Sequence, residues 1–235
     1  MSRLAIHENK IYSLGDNAIY TIPTILPSPT LWLRADAGVV KGGDNLVSEW
    51  QDQSGNGHHA EQTSHADKPL FVANVLNNLP VLRFDKPHWI EVRFPEVFTQ
   101  PNTIFTVWKS VSPEGGAFSI NDEKTRLALF QYQGNRIYAE AGISLIYFLD
   151  PVTVNYRIHT WHINGINSSI YENGILKNTG NSGDYGITLL RLGKVIGFNS
   201  WSLEGDIAEI IFYNSLLSDP QRKSVEQYLL TKYGL

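Results

Sequence analysis

The chain has 235 residues, of which 42% are hydrophobic, 18% charged and 11% aromatic, with 19 glycines among them. That is enough apolar chain for a sizeable core, and the excess of glycine and aromatic residues over charge marks a β-rich protein with many turns. A net charge of −4 leaves no basic footprint for nucleic acid, zero cysteines remove disulfides, thiol catalysis and thiolate metal sites, and no window is apolar enough to insert in a membrane.

Residues 1–30 stand apart. Ile11 to Leu14 and Ala18 to Ile22, around Gly15-Asp16-Asn17, predict a hairpin, and Pro23, Pro27 and Pro29 then form a stiff connector that cannot sit inside a strand ladder. This arm is expected either to pack on the domain or to tether it to another subunit. From Leu31 onward, β-prone runs alternate with Gly, Asn, Asp or Pro: 31–35, 47–50, 80–84, 89–92, 103–108, 117–120, 127–132, 136–140, 154–161 and 168–171. Short, regular strands without interleaved helices predict a sandwich rather than βαβ units.

Asn173-Gly174, between Ile170-Tyr171 and Ile175-Leu176, predicts a tight hairpin because both turn residues tolerate positive φ. Gly134-Asn135 does the same between the runs ending at Tyr132 and starting at Ile137. One helix closes the chain, with Ser218 as N-cap, Pro220 in the first turn, Gln221 reaching back, Val225, Tyr228 and Leu229 on one face, and Gly234 as the C-terminal cap. No domain break follows residue 30, so residues 31–235 are expected to be one domain.

Three segments form a set: 31–39 (LWLRADAGV), 50–60 (WQDQSGNGHHA) with 79–85 (LPVLRFD), and 205–214 (GDIAEIIFYN) running into the terminal helix. Over residues 31–235 the chain resembles the concanavalin A-like lectin/glucanase superfamily in its laminin-G-like and pentraxin-like branch, common in bacterial and phage proteins. The resemblance implies an all-β, two-sheet antiparallel jelly-roll sandwich with one concave sheet and one C-terminal helix.

Glu204-Gly205-Asp206-Ile207-Ala208-Glu209 looks like the catalytic strand of the laminarinase-like glycosidases of that superfamily, where carboxylates about 5–5.5 Å apart would make a retaining hydrolase. Here Gly205 replaces an aliphatic residue and no Trp lies within the motif, so the chain is expected not to be an enzyme. Glu209 is then expected to pair with an arginine or backbone donors, and Gly205 to mark a close approach. Asp52 and Asn56 in Trp50-Gln-Asp-Gln-Ser-Gly-Asn-Gly57 could donate oxygens to calcium or hold their own turn. The turn is the favoured expectation, and no other cofactor is expected. His159 and His162 would point to opposite faces of a strand and cannot share a metal.

Aromatic residues beside polar loops suit sugar rings, whose C–H faces stack on indole and phenol while amides and acids bond the hydroxyls. Trp89, Trp201, Tyr147 and Tyr185, with Asn199, are the candidate glycan-binding residues, whereas Trp32 and Trp50 are expected in the core. The expected function is a recognition or adhesion module for a glycan or cell-surface polysaccharide, in a phage fibre, decoration protein or other surface assembly. The alternatives are a purely structural virion subunit anchored by residues 1–30, and a glycosidase using Glu204, Asp206 and Glu209. A homo-oligomer or larger assembly is expected. The early acid and short apolar stretch of residues 1–8 predict synthesis in the cytosol without a signal peptide, with a virion or cell surface as the working place.

Overall fold

Residues 90–94 alternate Ile, Glu, Val, Arg and Phe, and a strand sends Ile90, Val92 and Phe94 to one side and Glu91 and Arg93 to the other. This period-two pattern recurs through a computed structural model that describes residues 3–7, 10–14, 26–111, 115–120, 127–132, 136–142, 145–149, 155–195 and 202–235; for 3–7, 10–14, 115–120 and 127–132 it describes backbone pairing alone. The strands are β1 (Arg3–His7), β2 (Lys10–Leu14), β3 (Leu31–Arg34), β4 (Val39–Lys41), β5 (Val47–Trp50), β6 (Ala60–Glu61), β7 (Leu70–Leu76), β8 (Leu79–Phe84), β9 (Ile90–Phe98) and β10 (Asn102–Ser110). They continue with β11 (Gly115–Ile120), β12 (Leu127–Tyr132), β13 (Arg136–Ala141), β14 (Leu145–Leu149), β15 (Arg157–Ile163), β16 (Ser168–Glu172), β17 (Ile175–Gly180), β18 (Ile187–Leu192) and β19 (Gly205–Tyr213), before helix α1 (Asp219–Tyr233).

The fold is an all-β sandwich with one C-terminal helix. An eight-stranded sheet runs β17-β16-β15-β10-β19-β8-β7, and β3 shares an edge of β19; a nine-stranded sheet runs β14-β13-β12-β11-β18-β9-β6-β5-β4. The inner core joins residues of both sheets, including Trp50, Phe84, Val92, Trp161, Leu192 and Phe212. A second core lies on the other side of the eight-stranded sheet, where Phe105, Ile211 and Tyr213 meet Val225, Leu229 and Tyr233 of α1.

The strongest turn expectation is met: Glu172 pairs with Ile175, with Asn173 and Gly174 at φ of 48° and 81°. A second hairpin of the same kind, unread in the sequence, uses Asn77 and Asn78 at φ of 49° and 60° to join β7 to β8. The helix begins where Gln221 Oε1 accepts the Ser218 backbone N–H and hydroxyl, both at 2.9 Å, and ends at Gly234 in the left-handed region. At the N-terminus Arg3–His7 pairs with Lys10–Leu14, a partner for the 11–14 run that was unread in the sequence, and the turn expected at 15–17 lies outside the described residues. The strand expected at 18–22 lies outside the described residues. The packed chain is already in place at Leu26, which is buried in the second core, and at Thr30, whose N–H donates to the Phe212 carbonyl at 2.7 Å.

All nine residues of β19 are buried, and one of them is Glu209. Its Oε1 accepts from the Trp32 indole N–H (2.6 Å) and the Tyr228 hydroxyl (2.9 Å), and its Oε2 from Lys232 Nζ (2.6 Å) and the Tyr233 hydroxyl (2.7 Å). A carboxylate has about four lone-pair sites, so Glu209 is fully satisfied. Burial, and then the charge of Glu209, push both tyrosine hydroxyls far above their ordinary range, keeping them as donors. Lys232 also reaches Asp36 (3.0 Å), which Arg34 holds at 2.9 Å. Removing one partner strands a charge, so Lys232→Met should cost about 3–5 kcal/mol in urea unfolding, with part of the loss recovered in Lys232→Met/Glu209→Gln.

On β15, His159 and His162 do face opposite ways. His159 accepts the Trp108 indole N–H at 2.7 Å, whereas His162 stands edge-on to Tyr171 and beside Arg222 of α1. Burial, followed by the Arg222 charge and opposed by Asp219, lowers the His162 pKa to about 4. The unfolded ring takes up its proton near pH 6.5 and the folded ring only near 4, so stability is complete above 6.5 and falls as pH drops between the two. His162→Gln should flatten stability profiles across that window, where the native ring loses up to about 3 kcal/mol.

Candidate functional site

Helix α1 occupies the outer face of the eight-stranded sheet. The outer face of the nine-stranded sheet instead carries a groove of about 440 Å³ whose lining includes His59, Glu61, Thr63, Trp89, Glu91 and Arg93. Strand alternation places Trp89, Glu91 and Arg93 in one outward column, while Ile90, Val92 and Phe94 enter the core. The facing column comes from β6, in which Glu61 pairs with Glu91 and Ala60 with Val92. The ladder ends at these two pairs, and Thr63 and His59, two residues to either side of Glu61, also line the groove.

The groove is built from its floor upward. Glu91 is buried, and its Oε2 takes Arg191 Nε and a second Arg191 nitrogen at 2.8 and 2.6 Å, while Oε1 takes Arg93 at 2.5 Å. The Arg191 guanidinium also lies over the Trp89 ring, 4.2 Å from its centroid, so one indole face is covered and the half-buried ring is held flat. The Trp89 backbone is fixed on both sides, its N–H donating to the Asp67 carbonyl (2.8 Å) and its carbonyl accepting from the Gln62 amide (2.9 Å). Asp52 N–H donates to His59 Nδ1 at 3.0 Å, which leaves the proton of the neutral ring on Nε2. The result is an aromatic surface at one end, donors at the other and carboxylates between them.

Of the glycan candidates, Trp89 lies in this groove. Tyr147 is exposed elsewhere, on edge strand β14, stacked near Tyr138 (5.3 Å) under Arg136. Tyr185 is half-buried with its ring against Gly142, and its carbonyl accepts from Gln100. Asn199 and Trp201 lie outside the described residues. Trp50 is in the core as expected, whereas Trp32 is half-buried and spends its indole N–H on Glu209.

The three motif carboxylates do not form one site. Glu204 pairs with Lys86 at the surface (2.8 Å), and Glu209 is enclosed by α1. Asp206 is buried and bound by Arg83 (2.7 Å), Lys109 (3.2 Å) and the Tyr156 hydroxyl (2.5 Å). Burial works against its ionisation, but the bonds from Arg83 and Tyr156 prevail and hold its pKa low. Gly205 is the expected close approach, since a Cβ there would lie 2.1 Å from the Lys109 carbonyl oxygen.

Asp52 and Asn56 do not fit calcium. Asp52 Oδ1 accepts backbone N–H groups of Trp32 and Ser54 (both 2.9 Å), and Oδ2 accepts the Ser54 hydroxyl (2.7 Å) and the His58 N–H (3.0 Å). Asn56 donates its amide to the carbonyls of Pro29 and Thr30 at 3.1 and 3.0 Å. Both Asp52 oxygens are taken by donors, which is the arrangement of a self-held turn.

The alternation in 89–94 carried a signal for Glu91 and Arg93 that the reading for sugar-stacking aromatics passed over. His59, Glu61 and Arg191 become visible only through strand pairing.

At the level of sequence, no protein-family profile matches the chain, and no characterised protein does. Solved structures share the sandwich. Domain 4 of AbnA, a GH43 extracellular arabinanase from Geobacillus stearothermophilus in complex with arabinotriose, matches with TM-score 0.64 and 15% identity over 86% of this chain and 98% of that one. A GH54 arabinofuranosidase matches with TM-score 0.62 and 14% identity over 80% of this chain and 51% of that one. Trypanosoma rangeli sialidase matches with TM-score 0.59 and 14% identity over 85% of this chain and 33% of that one. The chain thus spans about half the length of the arabinofuranosidase, and the likeness is one of fold. It supports the β-sandwich and leaves the laminin-G-like branch unassigned. The expectation that the chain is not an enzyme is corrected: the similar structures belong to glycoside hydrolases, so this architecture gives no ground for setting enzymatic activity aside.

Asp52→Ala orphans three backbone N–H groups at once and should lower stability by about 2–3 kcal/mol in thermal melts. Millimolar calcium should leave the native Tm unchanged.

Proposed function

We propose that this protein binds carbohydrate in the groove on the outer face of its nine-stranded sheet. The observation that carries the proposal is Trp89: a half-buried indole, clamped from behind by Arg191, opening into a groove whose other walls are hydrogen-bonding side chains. A flat apolar ring beside placed donors and acceptors is what a sugar requires, because each pyranose or furanose presents C–H groups on its faces and hydroxyls at its rim. Glu61 supplies acceptors, and Arg93 and His59 supply donors. The fold gives this reading support, since the matching arabinanase domain was solved with arabinotriose bound.

The test is a glycan array followed by calorimetry on the strongest hits. Trp89→Ala should weaken binding at least about tenfold, the loss of a stacking surface worth ~1–1.5 kcal/mol, while Tm stays within a few degrees of native. Full retention of affinity in Trp89→Ala, or an array without hits, overturns the proposal.

A further inference from the structure

The two ends of the groove differ in chemistry, and the difference bears on which carbohydrate it takes. Trp89 stands at one end and Arg93 at the other, four residues or about 13 Å apart at the usual strand rise, and Thr63 and His59, on opposite sides of Glu61, line the groove from the facing segment. That span exceeds one sugar ring.

The far end offers donors. Arg93 commits one terminal nitrogen to Glu91 and keeps 71% of its side chain in solvent. His59 is exposed, and because its Nδ1 already accepts the Asp52 N–H, it presents Nε2–H. Hydroxyls both donate and accept, so they would use this pair only in part. A carboxylate accepts at both oxygens and matches a guanidinium beside an N–H. The floor has charge of the right sign, with two guanidinium groups, Arg93 and Arg191, against the single carboxylate of Glu91. Glu61, level with Glu91 in the middle of the groove, repels an acid placed there and so directs it to the Arg93 end.

Resting on the carbohydrate reading above, we infer that the groove takes an acidic oligosaccharide of two or more rings, one ring stacked on Trp89 and a ring carboxylate held between Arg93 and His59. Uronic and sialic acids share this chemistry, and the experiment separates them.

Calorimetric titrations with di- and trigalacturonic acid, their methyl esters, 3′-sialyllactose and lactose are run on the native chain, Arg93→Gln and Trp89→Ala. Arg93 is exposed, so Arg93→Gln should fold normally, as its Tm will verify. The expected result is that at least one free acid binds about tenfold or more tightly than its neutral counterpart, the worth of one charge-assisted pair. Arg93→Gln should bring that ratio close to one, and Trp89→Ala should weaken acid and neutral forms alike. Which acid shows the preference, galacturonate or sialyllactose, identifies the source. Neutral forms binding as tightly as the acids, or a preference that survives in Arg93→Gln, overturns this inference and leaves the carbohydrate reading standing. Binding that is unchanged in Trp89→Ala, or absent for every sugar here and on the array, overturns both.

Discussion

A carboxylate in the middle of a buried strand is the constraint around which this sandwich is arranged. Glu209 has no water to solvate it, and an isolated buried charge costs several kcal/mol even after the protein relaxes. Its four partners come from β3 and α1: an indole N–H, two phenols and an ammonium. Strand, edge and helix must therefore meet in one geometry for any of them to be satisfied. Apolar packing of α1 would tolerate sliding, but hydrogen bonds to two tyrosines and a lysine on consecutive turns do not.

Helix α1 packs on the outer face of the eight-stranded sheet, and the groove lies on the outer face of the nine-stranded sheet. The two faces use charge differently. In the eight-stranded sheet, Glu209 beneath the helix and Asp206 among Arg83, Lys109 and Tyr156 are surrounded by cations and phenols and serve the frame. In the groove, Glu91 gathers two guanidinium groups, one of which backs Trp89 while the other points to solvent. An acid at the floor thus shapes a surface it does not itself present.

Much of the fold was legible because it is written locally. Asn173-Gly174 specifies its hairpin through two positive φ angles, and Ser218 with Gln221 specifies the helix start through bonds spanning three residues. The Asn77-Asn78 turn follows the same physics without a glycine, so its cue was weaker. Strand β6, two residues long, has no periodicity to detect and exists only because β5 and β9 flank it. The site was half legible for a related reason. Trp89 was found from its polar flank, whereas His59, Glu61 and Arg191 reach it by pairing across strands, which one-dimensional spacing does not encode. The Glu204 to Glu209 motif misled in the opposite way. The register shift opposite Val107 and Trp108 does bring Asp206 and Glu209 to one face, as a catalytic strand would require, but the sequence does not say that a helix covers it.

The central position of β19 also governs how the chain reaches this state. Trp32 and Glu209 are 177 residues apart in sequence, and β3, β8 and β10 all wait for the same late strand to complete their pairing. Contacts of such separation fold slowly because loop closure precedes any reward. Until β19 docks, β10 has an open edge and both cores lack a wall, which is the kind of surface that captures neighbouring chains. Glu209 has a part to play in that interval: a charge in the middle of an otherwise apolar strand keeps it soluble and disfavours pairing with any partner lacking the lysine and tyrosines that receive it.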